Sequence, residues 1–181
     1  VSSIAAAGVS VALNVAPNPY AAYEIMVWLM GSLVDRSWDH VWLAAPFILV
    51  GAMLLLLTGR ALDALALGEA QAESLGIHVA RTRLLALLGT AMGVGAATSV
   101  AGAISFVGLI APHIVRPLVG HRPGKTLVPA ALVGALLVTL ADVGTRLLVV
   151  DGKILALGVF ISLFGAPFFL WLVLHVQRRT A

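Results

Sequence analysis

Two histidines, His113 and His121, bracket a basic run in APHIVRPLVGHR, residues 111–122. Imidazoles in such a run invite a metal-binding reading. A helix brings ligands together at i, i+3 and i+4, yet Ile110 and Pro117 hold those positions around His113. No second ligand is in register, and no metal site is expected. The run reads instead as a structural or gating turn: Pro112 and Pro117 shape a helix end, with Pro112, His113 and Arg116 as the residues concerned. Nucleophilic chemistry is no better supplied. Ser99 and Ser105 lie in apolar sequence, but an intramembrane serine hydrolase needs a histidine at the same depth, and His113 sits at the end of its apolar run. HExxH and GxxxxGK[ST] are both absent, and there is no cysteine. Zinc-protease, nucleotide-cradling and thiolate chemistry therefore have no carrier in this chain.

What must position these residues is a set of membrane helices. Hydrophobic residues make up 61% of the 181, charged residues only 10%, and the mean hydropathy is +1.06. Soluble domains carry about 25% charge and need it for the polar faces of their helices. The apolar runs are continuous and about twenty residues long, which suits spanning helices and not the short alternating strands of a barrel. The fold expected is an all-α membrane protein, a polytopic helical bundle. Its net charge of +3 and pI near 10 would suggest nucleic acid in a soluble chain. Here the basic residues flank spans on one side, so the first partner is the lipid bilayer and no nucleic acid is expected. The chain opens on Val1 inside an apolar segment and shows no signal peptide, and it is expected to be part of a longer protein.

Charges punctuate the spans. Residues 1–16 look like the end of one. Residues 18–42 hold Glu24, Asp35, Arg36, Asp39 and three tryptophans, Trp28, Trp38 and Trp42, as an interfacial segment would. Residues 41–58 form a clean span, 126–141 another and 154–176 the last, with a polar connection expected over 142–153. The uncharged run 84–112 is the ambiguous one. Read as a single span, it leaves basic residues evenly split between the two sides, five against six. Read as two spans reversing near Gly102 to Gly108, it puts eight on one side and three on the other, which the positive-inside rule favours. Glycines and small residues in GTAMGVGAATSVAGAISFVG permit both a sharp reversal and close packing. Six spans result, with residues 61–83, 113–125 and the C-terminus cytoplasmic.

The cytoplasmic stretch LALGEAQAESLGIHVARTR, residues 65–83, is too long for a simple turn. Gly68 and Gly76 bracket about two helical turns, with Glu69 and Glu73 on one face; acidic residues suit the start of a helix and a glycine its end. A second helix is expected to run from Val79 into the next span. Such a helix pair at the membrane face either docks a soluble partner or lies on lipid; its acidic face disfavours the anionic cytoplasmic leaflet.

As a set, LGEAQAESLG, GLIAPHIVRPLVGHR, LADVGTR and FGAPFF resemble the permease subunits of iron-chelate and cobalamin ABC importers, the FecCD-type family. The resemblance covers essentially all 181 residues and implies the type II ABC importer permease fold, of which this chain is the C-terminal portion of a roughly ten-span permease. It further implies a single transmembrane permease domain over 1–181, with 61–83 as its cytoplasmic coupling segment. Gly68, Glu69, Ala72, Ser74, Leu75 and Gly76 match the segment that docks on a cytoplasmic ABC ATPase dimer. Arg146 matches the arginine that meets a carboxylate of an extracytoplasmic substrate-binding protein, and Arg36 is a second candidate for that contact. A second permease copy or homologue completes the pore. Ser3, Ser10, Ala97 and Ser99 are candidate lining of the translocation path, against the alternative of plain helix packing.

The implied protein is not an enzyme. It binds no cofactor, and ATP is used by its partner. Its place is the bacterial cytoplasmic (inner) membrane. The implied cargo is an iron chelate, siderophore or haem, with cobalamin as the alternative and an inactive truncated permease as a further one. An ion-coupled transporter or channel is the competing class, but those place ionisable residues at mid-membrane, and none lies at that depth in these spans.

Overall fold

The computed structural model describes residues 2–150 and 153–180, with side chains over 3–148 and 155–171. The chain forms α1 (Ser2–Asn14), α2 (Pro19–Met30), α3 (Trp38–Leu57), α4 (Gly59–Leu65), α5 (Glu69–Ser74), α6 (Val79–Ala101), α7 (Val107–Val115), α8 (Pro123–Leu147) and α9 (Leu157–Thr180). A 3-10 turn, Arg116–Val119, extends α7, and two-residue strands β1 (Val149–Val150) and β2 (Lys153–Ile154) pair antiparallel before α9. The fold is an all-α membrane bundle. Three helices, α3, α6 and α8, are long and apolar enough to cross a bilayer, and shorter apolar helices cover 3–14, 107–119 and 157–171. Many outward-facing side chains are large and apolar, such as Leu49, Leu87 and Leu132, as lipid contact requires.

The uncharged run is two helices. The first ends at Ala101, where Gly102 takes a positive φ of 75°; the second starts six residues later at Val107. Several boundaries differ from the sequence reading by a few residues, and two of the shifts have a visible cause. α8 continues through Leu147, so Asp142 and Arg146 lie in its last turns and not in a loop. The two side chains are one turn apart and form an i, i+4 ion pair, Arg146 Nε donating to Asp142 Oδ2 at 2.8 Å, which lets a helix carry charge that reads as a loop signal. α3 starts at Trp38, ahead of the expected 41, because the Ser37 N–H donates to His40 Nδ1 at 3.2 Å and Asp39 lies in the first turn. Asp151 and Gly152 of the expected connection lie outside the described residues, as do the side chains of Lys153, Arg178 and Arg179.

Three helix ends meet at one backbone junction. The Trp28 carbonyl, near the end of α2, accepts the Gly31 N–H at 3.2 Å and the Ala103 N–H at 3.2 Å. Ser32 N–H donates to Ala101 O at 2.8 Å, and Gly158 N–H, at the start of α9, donates to Gly31 O at 3.3 Å. The Trp28 indole Nε1 reaches the Ser99 carbonyl at 3.4 Å. These approaches need missing side chains. A Cβ on Gly31 would lie 2.5 Å from Ala103 O, one on Gly158 2.8 Å from the same atom, and one on Gly102 3.0 Å from Gly31 Cα. Beside the junction, Ala141, Leu157 and Ile161 are buried among Leu33, Ile104, Phe106, Val107, Val138 and Phe160. A separate seam holds α3 to α6, where Gly51 and Gly89 face each other so closely that a Cβ on Gly51 would sit 2.6 Å from Gly89 O. Small residues let backbones approach in membranes, where apolar burial between helices offers little drive.

At Gly102, Ala substitution forces a Cβ into both a left-handed backbone and the α2 end. We expect a cost of at least about 2 kcal/mol and a melting midpoint in detergent lowered by roughly 4–8 °C. Gly108→Ala, where a Cβ meets nothing within 4 Å, leaves the midpoint unchanged or slightly raised.

Candidate functional site

Chain direction places α4, α5, the starts of α6 and α8 and the 3-10 turn at the end of the bundle opposite the junction. The α5 helix is built as its sequence suggests. Gly68 opens it with φ 110° and Gly76 closes it with φ 80°. Gly76 N–H donates to Glu73 O at 2.9 Å and Ile77 N–H to Ala72 O at 3.0 Å, the pair of bonds that ends a helix on a left-handed residue. Ala72 is fully buried and seats α5 on the bundle. Glu69, in the first turn, pairs with Arg83 of α6. Ser74 Oγ donates to Gln71 O at 2.8 Å. Leu67 and Leu75 point out, 66% and 64% exposed. Between α5 and α6 lies a cleft of about 360 Å³ lined by Glu73 and residues 76–80. Of the six residues singled out in this segment, Ala72 thus anchors, Gly68 and Gly76 shape, and Glu69, Ser74 and Leu75 face outward.

Sequence reasoning passed over Asp63, a single carboxylate in GRALDALALG. Its Oδ1 accepts the Gly124 N–H at 2.7 Å and its Oδ2 pairs with Arg122 at 3.4 Å. The signal was there: a lone acid in an apolar stretch needs a partner.

Pro112 lies inside the short α7, and its carbonyl accepts the Arg116 N–H. The His113 ring meets Phe168 of α9 edge-on, centroids 6.2 Å apart, while Arg116 is exposed. His121 takes φ 59° and donates its N–H to Arg116 O at 2.9 Å. His113 thus contacts α9 from within α7, and Pro117 stands in the first turn of the 3-10 segment that follows.

At the junction end, Arg146 is half exposed and held by Asp142 through a second contact, Nη2 to Oδ1 at 3.4 Å; Asp35 adds further negative charge nearby. Arg36 lines a pocket of about 570 Å³ with Tyr23, Glu24 and Trp28. The four lining candidates are divided. Ser3 and Ser10 stand on α1, which packs on α2, whereas Ala97 and Ser99 stand on α6, which packs on α3. Ser10 and Ser99 donate to carbonyls of their own helices, Ala6 at 3.0 Å and Ala96 at 2.8 Å.

The profile of the FecCD transport family matches residues 1–175. The chain belongs to this family. Within FecCD it is 38% identical over 160 residues to the Fe(3+) dicitrate transport system permease protein FecD of Escherichia coli strain K12, covering 88% of this chain and 50% of that one. It is 38% identical over 156 residues to the hemin transport system permease protein HmuU of Yersinia pestis, covering 86% and 46%. To the vitamin B12 import system permease protein BtuC of Vibrio cholerae it is 40% identical over 152 residues, covering 84% and 45%. This FecCD chain spans about half the length of the relatives it matches. A solved structure assigned to a metal-chelate type ABC transporter in an inward-facing conformation superposes with a TM-score of 0.84 at 31% identity, covering 96% of this chain and 56% of that one.

Overpacking the α5 seat separates anchoring from presentation. Ala72→Leu should cost about 1–3 kcal/mol and speed proteolysis within 66–78. Glu69→Gln removes only an exposed ion pair and should change stability by less than about 1 kcal/mol; thermal melts with limited proteolysis read both.

Proposed function

We propose that this chain is part of the transmembrane permease subunit of a binding-protein-dependent ABC importer in the bacterial cytoplasmic membrane, with the α4–α5 end and the C-terminus facing the cytoplasm. The observation that carries the reading is the α5 unit: a short helix seated by Ala72 and rimmed by the exposed Leu67 and Leu75 and the cleft over 76–80, in a chain of the FecCD family. Exposed leucines beside a cleft on an otherwise polar projection suit a soluble protein partner. In this reading the partner is a cytoplasmic ABC ATPase dimer. Its closure on ATP moves α4–α5, and the spans tilt as rigid bodies to alternate access. The chain binds no cofactor of its own. Arg146 and Arg36, at the opposite end, meet carboxylates of an extracytoplasmic binding protein, where a rim charge fixes orientation. A second permease copy or homologue closes the path.

The relatives, whose names specify ferric dicitrate, hemin and vitamin B12, support the cargo class proposed. An iron chelate, siderophore or haem, is the leading cargo and cobalamin the alternative. Spans without ionisable residues at mid-depth suit a bulky cargo driven from outside the pore and disfavour ion coupling.

The test is co-purification of the full-length permease with its cognate ATPase. Wild type should retain the ATPase. Leu75→Arg and Gly76→Pro should each reduce capture by about tenfold or more, as loss of a central interface anchor does, with Leu75→Arg leaving the melting midpoint in place. Failure of the wild type to hold the ATPase would overturn the importer reading.

A further inference from the structure

The start of α8 lacks a cap of its own. Arg122 occupies the N-cap position without a side-chain hydrogen bond, and Pro123 follows at N1, so the Gly124 N–H is the first free donor of the helix. That donor is satisfied from another helix: Asp63 of α4 accepts it at 2.7 Å. The same carboxylate pairs with Arg122 at 3.4 Å and is only 24% exposed, against 58% for Arg122. A carboxylate at a helix N-terminus gains from the aligned peptide dipoles and from a charge-assisted hydrogen bond. Gly124 also permits the contact sterically. A Cβ there would lie 2.8 Å from the Gly59 carbonyl carbon and 3.1 Å from Asp63 Cγ. Helix α4 is therefore joined to α8 by a backbone-to-backbone approach and a cap supplied in trans. By contrast, α5 is tied to α6 through the Glu69–Arg83 pair, whose side chains are 61% and 62% exposed.

We infer that Asp63 is a positioning residue that straps α4 to the N-terminus of α8, so that displacement of the α4–α5 unit is delivered to α8 as one rigid body. The inference rests on the importer reading above and deepens it by naming the route. α8 runs the length of the bundle, from the Asp63 strap to the Asp142–Arg146 pair. A push on α4 thus reaches the far end through a single continuous helix. α7 follows because it packs along α8, Val107 and Ala111 lying against Gly134. Asp63 acts through Gly124.

Two readouts test the strap in the full-length permease. The first needs no ATPase. Spin labels at the exposed positions Arg60→Cys and Lys125→Cys report the α4–α8 separation. Wild type should give one narrow distance, and Asp63→Ala a broadened one. Asp63→Asn keeps an acceptor for the Gly124 N–H and should restore the narrow distance. The second readout uses the complex with ATPase and binding protein in proteoliposomes. Asp63→Ala should keep ATPase capture and basal hydrolysis while cargo uptake per ATP falls by about tenfold, a typical size for loss of coupling between sites. Asp63→Asn should recover most of it. The strap is overturned if Asp63→Ala leaves both the distance and the uptake per ATP unchanged, or if Asp63→Asn behaves no better than Asp63→Ala. It is also overturned if the wild-type distance shifts by more than about 5 Å, one helical turn, when ATP binds. An Asp63→Ala chain too unstable to purify leaves the wild-type and Asp63→Asn distances to decide. A wild type with a narrow distance but no captured ATPase would sink the importer reading while leaving the strap standing.

Discussion

The Trp28 carbonyl accepts two N–H groups from different parts of the chain, Gly31 and Ala103, and the rest of the bundle is arranged around that fact. Inside a bilayer an irregular backbone is tolerated only where its polar groups find partners. The reversal between α6 and α7 is such a stretch: the Ala103 N–H is accepted at the end of α2, and Gly158 of α9 donates to Gly31 beside it. In return it fixes where those helices stop and start. Gly31, Gly102 and Gly158 are the residues that make the approach sterically possible. The small core of Ala141, Leu157 and Ile161 then forms beside the junction.

The opposite end is held differently. There α4 meets α8 through a close Gly59–Gly124 approach and the Asp63 cap, while α5 meets α6 through exposed side chains. Exposed ion pairs such as Glu69–Arg83 contribute little to stability, so this end is the more weakly secured of the two. A backbone junction at one end and a projecting α4–α5 unit at the other is the arrangement on which the proposed coupling rests. The seam of Gly51 against Gly89 keeps α3 and α6 moving together.

Polar side chains within the helices are mostly turned back on their own backbone. Thr58, Thr82, Thr126 and Thr145 are buried and donate to carbonyls three or four residues earlier, and Ser10 and Ser99 do likewise. Such hydroxyls are satisfied locally and offer little to a passing solute. Ser10 and Ser99, two of the four candidate path residues, thus have their hydroxyls already engaged by their own helices.

Composition and periodicity determined the membrane class, the helical architecture and the splitting of 84–112, because apolar length and charge asymmetry are properties of the chain itself. The α5 helix was equally legible: Gly68 and Gly76 impose its limits locally. The LGEAQAESLG and APHIVR motifs pointed to the family before any fold was seen. Helix ends governed by partners were not legible. Asp142 reads as a loop until Arg146 is seen to neutralise it one turn on, and α3 begins early because His40 folds back on Ser37. Tertiary structure alone decided which glycines carry the fold. Gly102 and Gly108 look alike in sequence, but one lies against the Trp28 carbonyl and the other against nothing. It alone also gave Asp63 a role, since Gly124 is 61 residues away along the chain and no local pattern joins a carboxylate to a helix start at that separation.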